Sequence, residues 1–306
     1  MRISSLIVAL LLAGCGGSGD SQQLAVNDDN ALYIAATTSL SNDTLTGLAQ
    51  LAVLAHDELN AKPRTIAATK PVICKNGSQA SQLIVHTVSD TYYLSADQRF
   101  SILFNQCQLA ELDAIVSGEL DVLIRDLTLD GYSLEISTAD YLLTTRNLQL
   151  IDDTGAVQVS AEINSRYSAS NNRYSYSLTP AGSNLILTLP NAKREQFSNF
   201  NTQLVLDNLT GRYQLNTRGT LQSDELAGNV SVTTAIPLSG QLQRLPNEGE
   251  LRYQANGNST MLLTSIASTT GILAKVTLPE LGLEGQIDWL DLSTGASWQK
   301  TGLAKD

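Results

Sequence analysis

From about residue 110 onward, hydrophobic and polar positions alternate with a period of two. Leu120, Val122 and Ile124 fall on one side of an extended segment, with Glu119, Asp121 and Arg125 on the other. Tyr132, Leu134 and Ile136 alternate with Ser133, Glu135 and Ser137, and Val157, Val159, Ala161 and Ile163 repeat the pattern. Leu204 with Leu206, Tyr213 with Leu215, Val230 with Val232, Leu251 with Tyr253, Val276 with Leu278 and Ile287 with Trp289 continue it. Strands buried on both faces would read as unbroken apolar runs, so this alternation predicts antiparallel strands with one wetted face. Asp130-Gly131 is a two-residue hairpin signal. Asp152-Asp153-Thr154-Gly155, Ser170-Asn171-Asn172, Ala181-Gly182-Ser183, Asn208-Leu209-Thr210-Gly211 and Asn256-Gly257-Asn258 supply further turns.

One segment follows the helical period instead. Leu45, Leu48, Ala52, Ala55 and Leu59 share a face that Leu51 and Leu54 widen; Ser41, Asn42 and Asp43 offer N-caps, and Asn60 and Pro63 offer a stop. The spacing predicts a helix over 42–60, uncharged until His56-Asp57-Glu58 and therefore laid against a sheet. The fold class is mainly β: a large antiparallel meander, as a curved sheet, half-barrel or sandwich, with one N-terminal α-helix packed on it. No strict repeat occurs. Residues 41–306 read as a single domain, with possible lobes at 70–190 and 200–306 joined near Lys193-Arg194-Glu195-Gln196-Phe197.

The N-terminus carries an address. Met1-Arg2-Ile3 precedes the apolar run Leu6–Leu12, a stretch too short to span a bilayer and typical of a cleaved secretory signal covering 1–14. The tetrad Leu12-Ala13-Gly14-Cys15 resembles the lipobox of bacterial lipoproteins. That resemblance implies a diacylglyceryl thioether on Cys15, cleavage before it, and acylation of the new amino group. Several acyl chains, at about 0.8 kcal/mol per buried methylene, give lasting attachment where one does not. Gly16-Gly17-Ser18-Gly19 opens a flexible tether, expected to run over 15–40. Lipoproteins retained in the inner membrane tend to carry Asp after the cysteine; Gly16 stands here, so the resemblance implies the outer membrane.

Composition narrows the partners. The 306 residues carry 19 Lys+Arg against 30 Asp+Glu, a net charge of −11 that becomes −12 once Arg2 leaves with the leader. Nucleic-acid binding, which needs a basic stripe, is not expected. Once Cys15 is lipidated, Cys74 and Cys107 remain, and an even pair in an exported chain predicts a disulfide.

The layout Cys74-Lys75-Asn76-Gly77, Ser95-Ala96-Asp97 and Phe104-Asn105-Gln106-Cys107, with Pro237-Leu238-Ser239-Gly240 and Gly249-Glu250-Leu251 later, resembles uncharacterised proteobacterial β-rich envelope lipoproteins. Relatives of that kind carry acidic Asp/Gly loops, reduced here to Ser89-Asp90-Thr91 and Leu281-Gly282-Leu283-Glu284-Gly285. The resemblance implies no activity.

Candidate chemistry is sparse. Asp153-Thr154-Gly155 matches the short signature of aspartic proteases, but a second copy is absent and the segment reads as a turn between strands. Ser297-Trp298-Gln299-Lys300 fits SxxK without its partner motifs. His56 and His86 read as polar surface or edge residues, and Asp28-Asp29-Asn30 and Asp288-Trp289-Leu290-Asp291 as solvated loops short of calcium's ligand number. No catalytic or metal-ligating set is expected, and no cofactor beyond the acyl chains on Cys15. Tyr167, Arg173, Tyr174 and Tyr176, gathered around the Ser170-Asn171-Asn172 turn, form a candidate surface platform for a glycan or an envelope protein. The expected function is a lipid-anchored outer-membrane protein with a non-catalytic binding or structural role. A half-barrel carrier of lipid or lipoprotein and a hydrolase with an unrecognised Ser/Asp site are the alternatives.

Overall fold

The computed structural model describes residues 24–60, 69–72, 74–76, 81–86, 94–108, 114–131, 135–152, 155–226, 228–242, 244–255, 259–268, 271–293 and 299–302. The chain opens with helix α1 (Ala31–Asn60) and continues almost wholly as strand. The first half holds β1 (Thr69–Pro71), β2 (Gln82–Val85), β3 (Arg99–Gln108), β4 (Ile115–Leu129), β5 (Ile136–Asp152), β6 (Gly155–Ser160), β7 (Glu162–Ser170), β8 (Arg173–Pro180) and β9 (Leu185–Thr188). The second half holds β10 (Arg194–Asp207), β11 (Arg212–Ser223), β12 (Asn229–Gln241), β13 (Glu248–Ala255), β14 (Thr260–Ala267), β15 (Ile272–Leu278), β16 (Leu283–Asp288) and β17 (Gln299–Gly302). Every pairing is antiparallel and the strands form one sheet. β6 and β7 act as one broken strand along β5, and β8 and β9 as another along β10. The sheet runs unbroken through the proposed lobe junction, because Arg194–Phe197 begin β10, which pairs with β8 and β9 on one side and β11 on the other.

A line of irregularities crosses this sheet. β3 kinks at Gln106, β4 at Gly118 and β5 at Asn147; β6 breaks from β7 at Ala161, β10 bulges at Asn199, and β12 is irregular opposite Gly249 of β13. Bulges bend a strand and sharpen its twist. Falling on strands from β3 to β13, they crease this part of the sheet, whose inner face packs on α1. Gly118 sits at φ +104°, where a Cβ would lie 2.2 Å from the Asn147 carbonyl oxygen, so no other residue fits.

The alternation seen in the sequence assigns the two faces. Phe100, Ile102 and Phe104, then Leu120, Val122 and Ile124, then Tyr141 and Leu143, point inward and are fully buried in one continuous core. The inward row closes on α1, which packs against β5, β8, β10, β11 and the short 3₁₀ turn Trp289–Ser293. At 30 residues, α1 is about 45 Å long, comparable with the longest strands it crosses.

The helix begins eleven residues earlier than 42. Asn27 and Asn30 form its start: the Asn27 carbonyl accepts from Ala31 N–H, and the Asn30 side chain accepts from Asn27 N–H. The tether therefore does not extend to 40; Leu24 and Val26 are already buried, and Val26 N–H donates to Ser259. Ser41, Asn42 and Asp43 are not caps but sit mid-helix, buried with Thr37, Thr38, Thr44 and Thr46. Three of these hydroxyls turn back on their own helix. Thr38 donates to the Ile34 carbonyl, Ser41 to Thr37 and Thr46 to Asn42. Among the described residues no helix is long and apolar enough to cross a membrane.

The Asp130-Gly131 signal marks a longer connection than a two-residue turn. Asp130 N–H donates to the Glu135 carbonyl and β5 starts at Ile136, while Tyr132–Leu134 lie outside the described residues. Asn171-Asn172 does form a two-residue hairpin, both residues at positive φ, pairing Ser170 with Arg173. Cys74 and Cys107 are joined, pinning the segment after β1 to the end of β3.

Candidate functional site

The expected tyrosine platform faces the wrong way for a surface site. Tyr167 pairs with Tyr176 across the β7–β8 hairpin, their ring centres 5.2 Å apart, and Tyr174 stacks on Tyr167 at 6.3 Å. This hairpin turns that face toward α1: Tyr167 and Tyr176 are buried and Tyr174 is half-buried, leaving Arg173 alone exposed. Burial pushes the Tyr167 and Tyr176 hydroxyls above their ordinary pKa, so they stay protonated core residues.

His56 is likewise not a surface residue. It is fully buried, its Nδ1 2.8 Å from the Tyr141 hydroxyl and its ring against Phe100. Three further polar groups lie along the helix. Asn42 accepts from Thr217 at 2.8 Å and from Thr202 at 3.3 Å. Glu195 is buried and accepts from Ser223 at 2.8 Å and from Tyr33. Burial raises its carboxyl to about 7. Asp43 is the third, raised by burial to about 7 and facing a small cavity beside β11 and Trp289.

The outer face carries two polar assemblies that only strand register brings together. In the first, His86, just past the end of β2, lines up with Ser101 of β3, Asp121 of β4 and Arg146 of β5. Ser101 donates to Asp121, which also pairs with Arg146, so the His86 ring nitrogen is left to donate to the Ser101 oxygen. A Ser/His/acid relay needs histidine between the other two, taking the serine proton. Here serine stands in the middle, its residue fully buried and its proton directed at the acid. The arrangement therefore supports a cross-strand clamp, not an activated nucleophile. His86, Glu119 and Asp121 each offer one ligand atom, all within 4.8 Å of one another, which makes them the described set able to hold a metal ion. Neither assembly has a local motif. Outward alternation of Glu119 and Asp121 is visible in the sequence, but the approach of His86 and Ser101 depends on pairing.

The second assembly is a polar depression of about 360 Å³ over β4, β5, β7 and β8. Arg166 makes a two-pronged pair with Asp140, Nε to Oδ1 at 2.9 Å and Nη2 to Oδ2 at 3.2 Å. Arg125 donates to Asn164 at 2.6 Å, and Ser177 and Thr179 complete the wall. Fixed guanidinium, amide, carboxylate and hydroxyl groups on one surface are suited to a ligand rich in hydroxyls or to a polar protein segment.

Cys15 and the lipobox, the Asp153-Thr154 pair, Ser89–Thr91, Asn256–Asn258 and Ser297-Trp298 lie outside the described residues. Comparisons with protein-family models, with curated proteins and with solved structures gave no match.

Proposed function

We propose that this protein is a lipid-anchored component of the bacterial outer membrane that binds a polar partner, a glycan or another envelope protein, through the outer face of its sheet, without catalysis. The lipobox-like Leu12-Ala13-Gly14-Cys15 supports the anchor. Leu24, the first described residue, lies nine positions after Cys15, so the anchored body stays within about 30 Å of the bilayer. The observation that carries the binding reading is that α1 fills the fold of the sheet, which leaves recognition to the outside, where Arg125, Asp140, Asn164, Arg166, Ser177 and Thr179 line a depression. A half-barrel carrier would need an open apolar trough, and the occupied interior does not favour it.

Two measurements test the proposal. Palmitate labelling with membrane fractionation should find the wild type labelled in the outer membrane and Cys15→Ser unlabelled and released. A Cys15→Ser variant that stays labelled and bound refutes the anchor. On an array of envelope glycans, and in cross-linking to envelope proteins, Arg125→Ala/Arg166→Ala should lose the binding that Arg173→Ala retains. Equal binding by the two variants refutes the assignment of the face.

A further inference from the structure

The outer-face set His86, Glu119 and Asp121 departs from an ordinary charged surface in its carboxylates, its charge balance and its support. Glu119 and Asp121 lie two residues apart on β4, and each offers an oxygen within 4.8 Å of the other's and of a His86 ring nitrogen. Two like charges on an open strand face gain by turning apart into water, but these converge on the imidazole. The nearest cation neutralises only one of them. Arg146 stands opposite Glu119 in the register of β4 and β5, yet its guanidinium pairs with Asp121. Among the described residues Glu119 has no hydrogen-bond or ion-pair partner, so two carboxylates face one guanidinium. Beneath them lies Ser101, fully buried, which donates to Asp121 and sits 2.5 Å from Nε2 of His86. One hydroxyl thus holds a carboxylate and the imidazole together, as hydrogen bonds behind the ligands of metal centres do.

We propose that His86, Glu119 and Asp121 bind a divalent transition-metal ion of the zinc type through one nitrogen and two oxygens, with water in the fourth position. Tetrahedral ligands about 2.1 Å from zinc stand about 3.4 Å from one another. A set already within 4.8 Å reaches that spacing by side-chain rotation, with the strands unmoved. His86 is exposed and Glu119 half-buried, so both have room to turn. Calcium and magnesium prefer six or more oxygen ligands, whereas an imidazole nitrogen favours zinc, copper or nickel. The ion would also tie the end of β2 to β4 across the intervening β3.

Isothermal titration of zinc into the chelator-stripped full chain, carrying no polyhistidine tag, should give one saturable site. Losing a ligand should cost at least what losing an outer-shell partner does, so His86→Ala and Glu119→Gln should each weaken binding about tenfold or more. Asp126→Asn removes an exposed carboxylate of the same strand outside the set and should leave zinc affinity unchanged. Calcium and magnesium should bind about tenfold more weakly than zinc, or worse. A second readout needs no binding-site substitution in the titrated protein. The chain has two histidines, and His56 is fully buried. Zinc should therefore shift the imidazole NMR signals of one histidine in the wild type, the one whose signals are missing from His86→Ala. The proposal is overturned by no saturable zinc binding, by full zinc affinity in His86→Ala, or by shifts confined to His56. Equal losses in Asp126→Asn and Glu119→Gln, or calcium binding as tight as zinc, would overturn it too, since diffuse negative charge would then account for the binding.

Discussion

Asp43→Asn should stabilise the protein, and the gain should depend on pH in a defined direction. The carboxyl is held at about 7 in the fold by burial, against 3.8 for the free group. For an acid whose folded pKa is raised, the cost is absent below the unfolded value, grows as pH rises between the two, and is complete above the folded value. A shift of about three units at about 1.4 kcal/mol per unit corresponds to about 4 kcal/mol. Asparagine keeps the shape and never ionises, so it avoids that cost. The assay is urea unfolding of wild type and variant, disulfide intact, at pH values from 4 to 8.5. The difference between the two should be small near pH 4, widen through pH 5–7 and level off above pH 8. Taking the difference cancels the other buried carboxyl, Glu195, which is the same in both proteins. A wild-type-minus-variant difference that stays level across that range would refute the reasoning, whatever its absolute size.

Two further perturbations follow from the fold. Replacing Cys74 and Cys107 by serine, or reducing them, opens a loop with a sequence separation of 33 and should cost about 3–4 kcal/mol in the same unfolding assay; an unchanged midpoint would contradict the constraint. Gly118→Ala drives a Cβ to 2.2 Å from the Asn147 carbonyl oxygen at φ +104° and should cost more than about 3 kcal/mol, or prevent folding. Gly131→Ala, with nothing within 4 Å of the added atom, should change thermal stability by under about 1 kcal/mol; equal losses at the two positions would refute the crease as a point of close backbone approach.

The strands were largely legible because each keeps one wetted face. Leu120, Val122 and Ile124 point inward as their alternation requires, and so do Val157 and Val159. The N-terminal part of α1, up to Asp43, was not legible. Its Thr37, Thr38, Ser41, Asn42 and Asp43 interrupt any apolar stripe and resemble caps, yet the sheet encloses the helix from several sides, so burial there does not follow one face. The tyrosines misled for a related reason. Their cross-strand pairing followed from the hairpin, but which side of the hairpin met the helix depended on where α1 lay. His86 follows β2 while Ser101, Asp121 and Arg146 come from three strands, and Arg125, Asp140, Arg166 and Ser177 come from four, so both outer assemblies exist only through register. No local spacing encodes that.

The position of α1 ahead of the strands that enclose it constrains how the molecule is made. Its contacts lie far downstream: Val26 meets Ser259 across 233 positions and Asn42 meets Thr217 across 175. A lone helix with this many hydroxyl and amide side chains gains little by forming in water, so it waits for walls that do not yet exist. Distant pairings of this kind slow assembly and leave early segments uncovered. A helix made before the strands that enclose it is thus among the last elements to reach its final place, and during that interval its apolar positions stay uncovered.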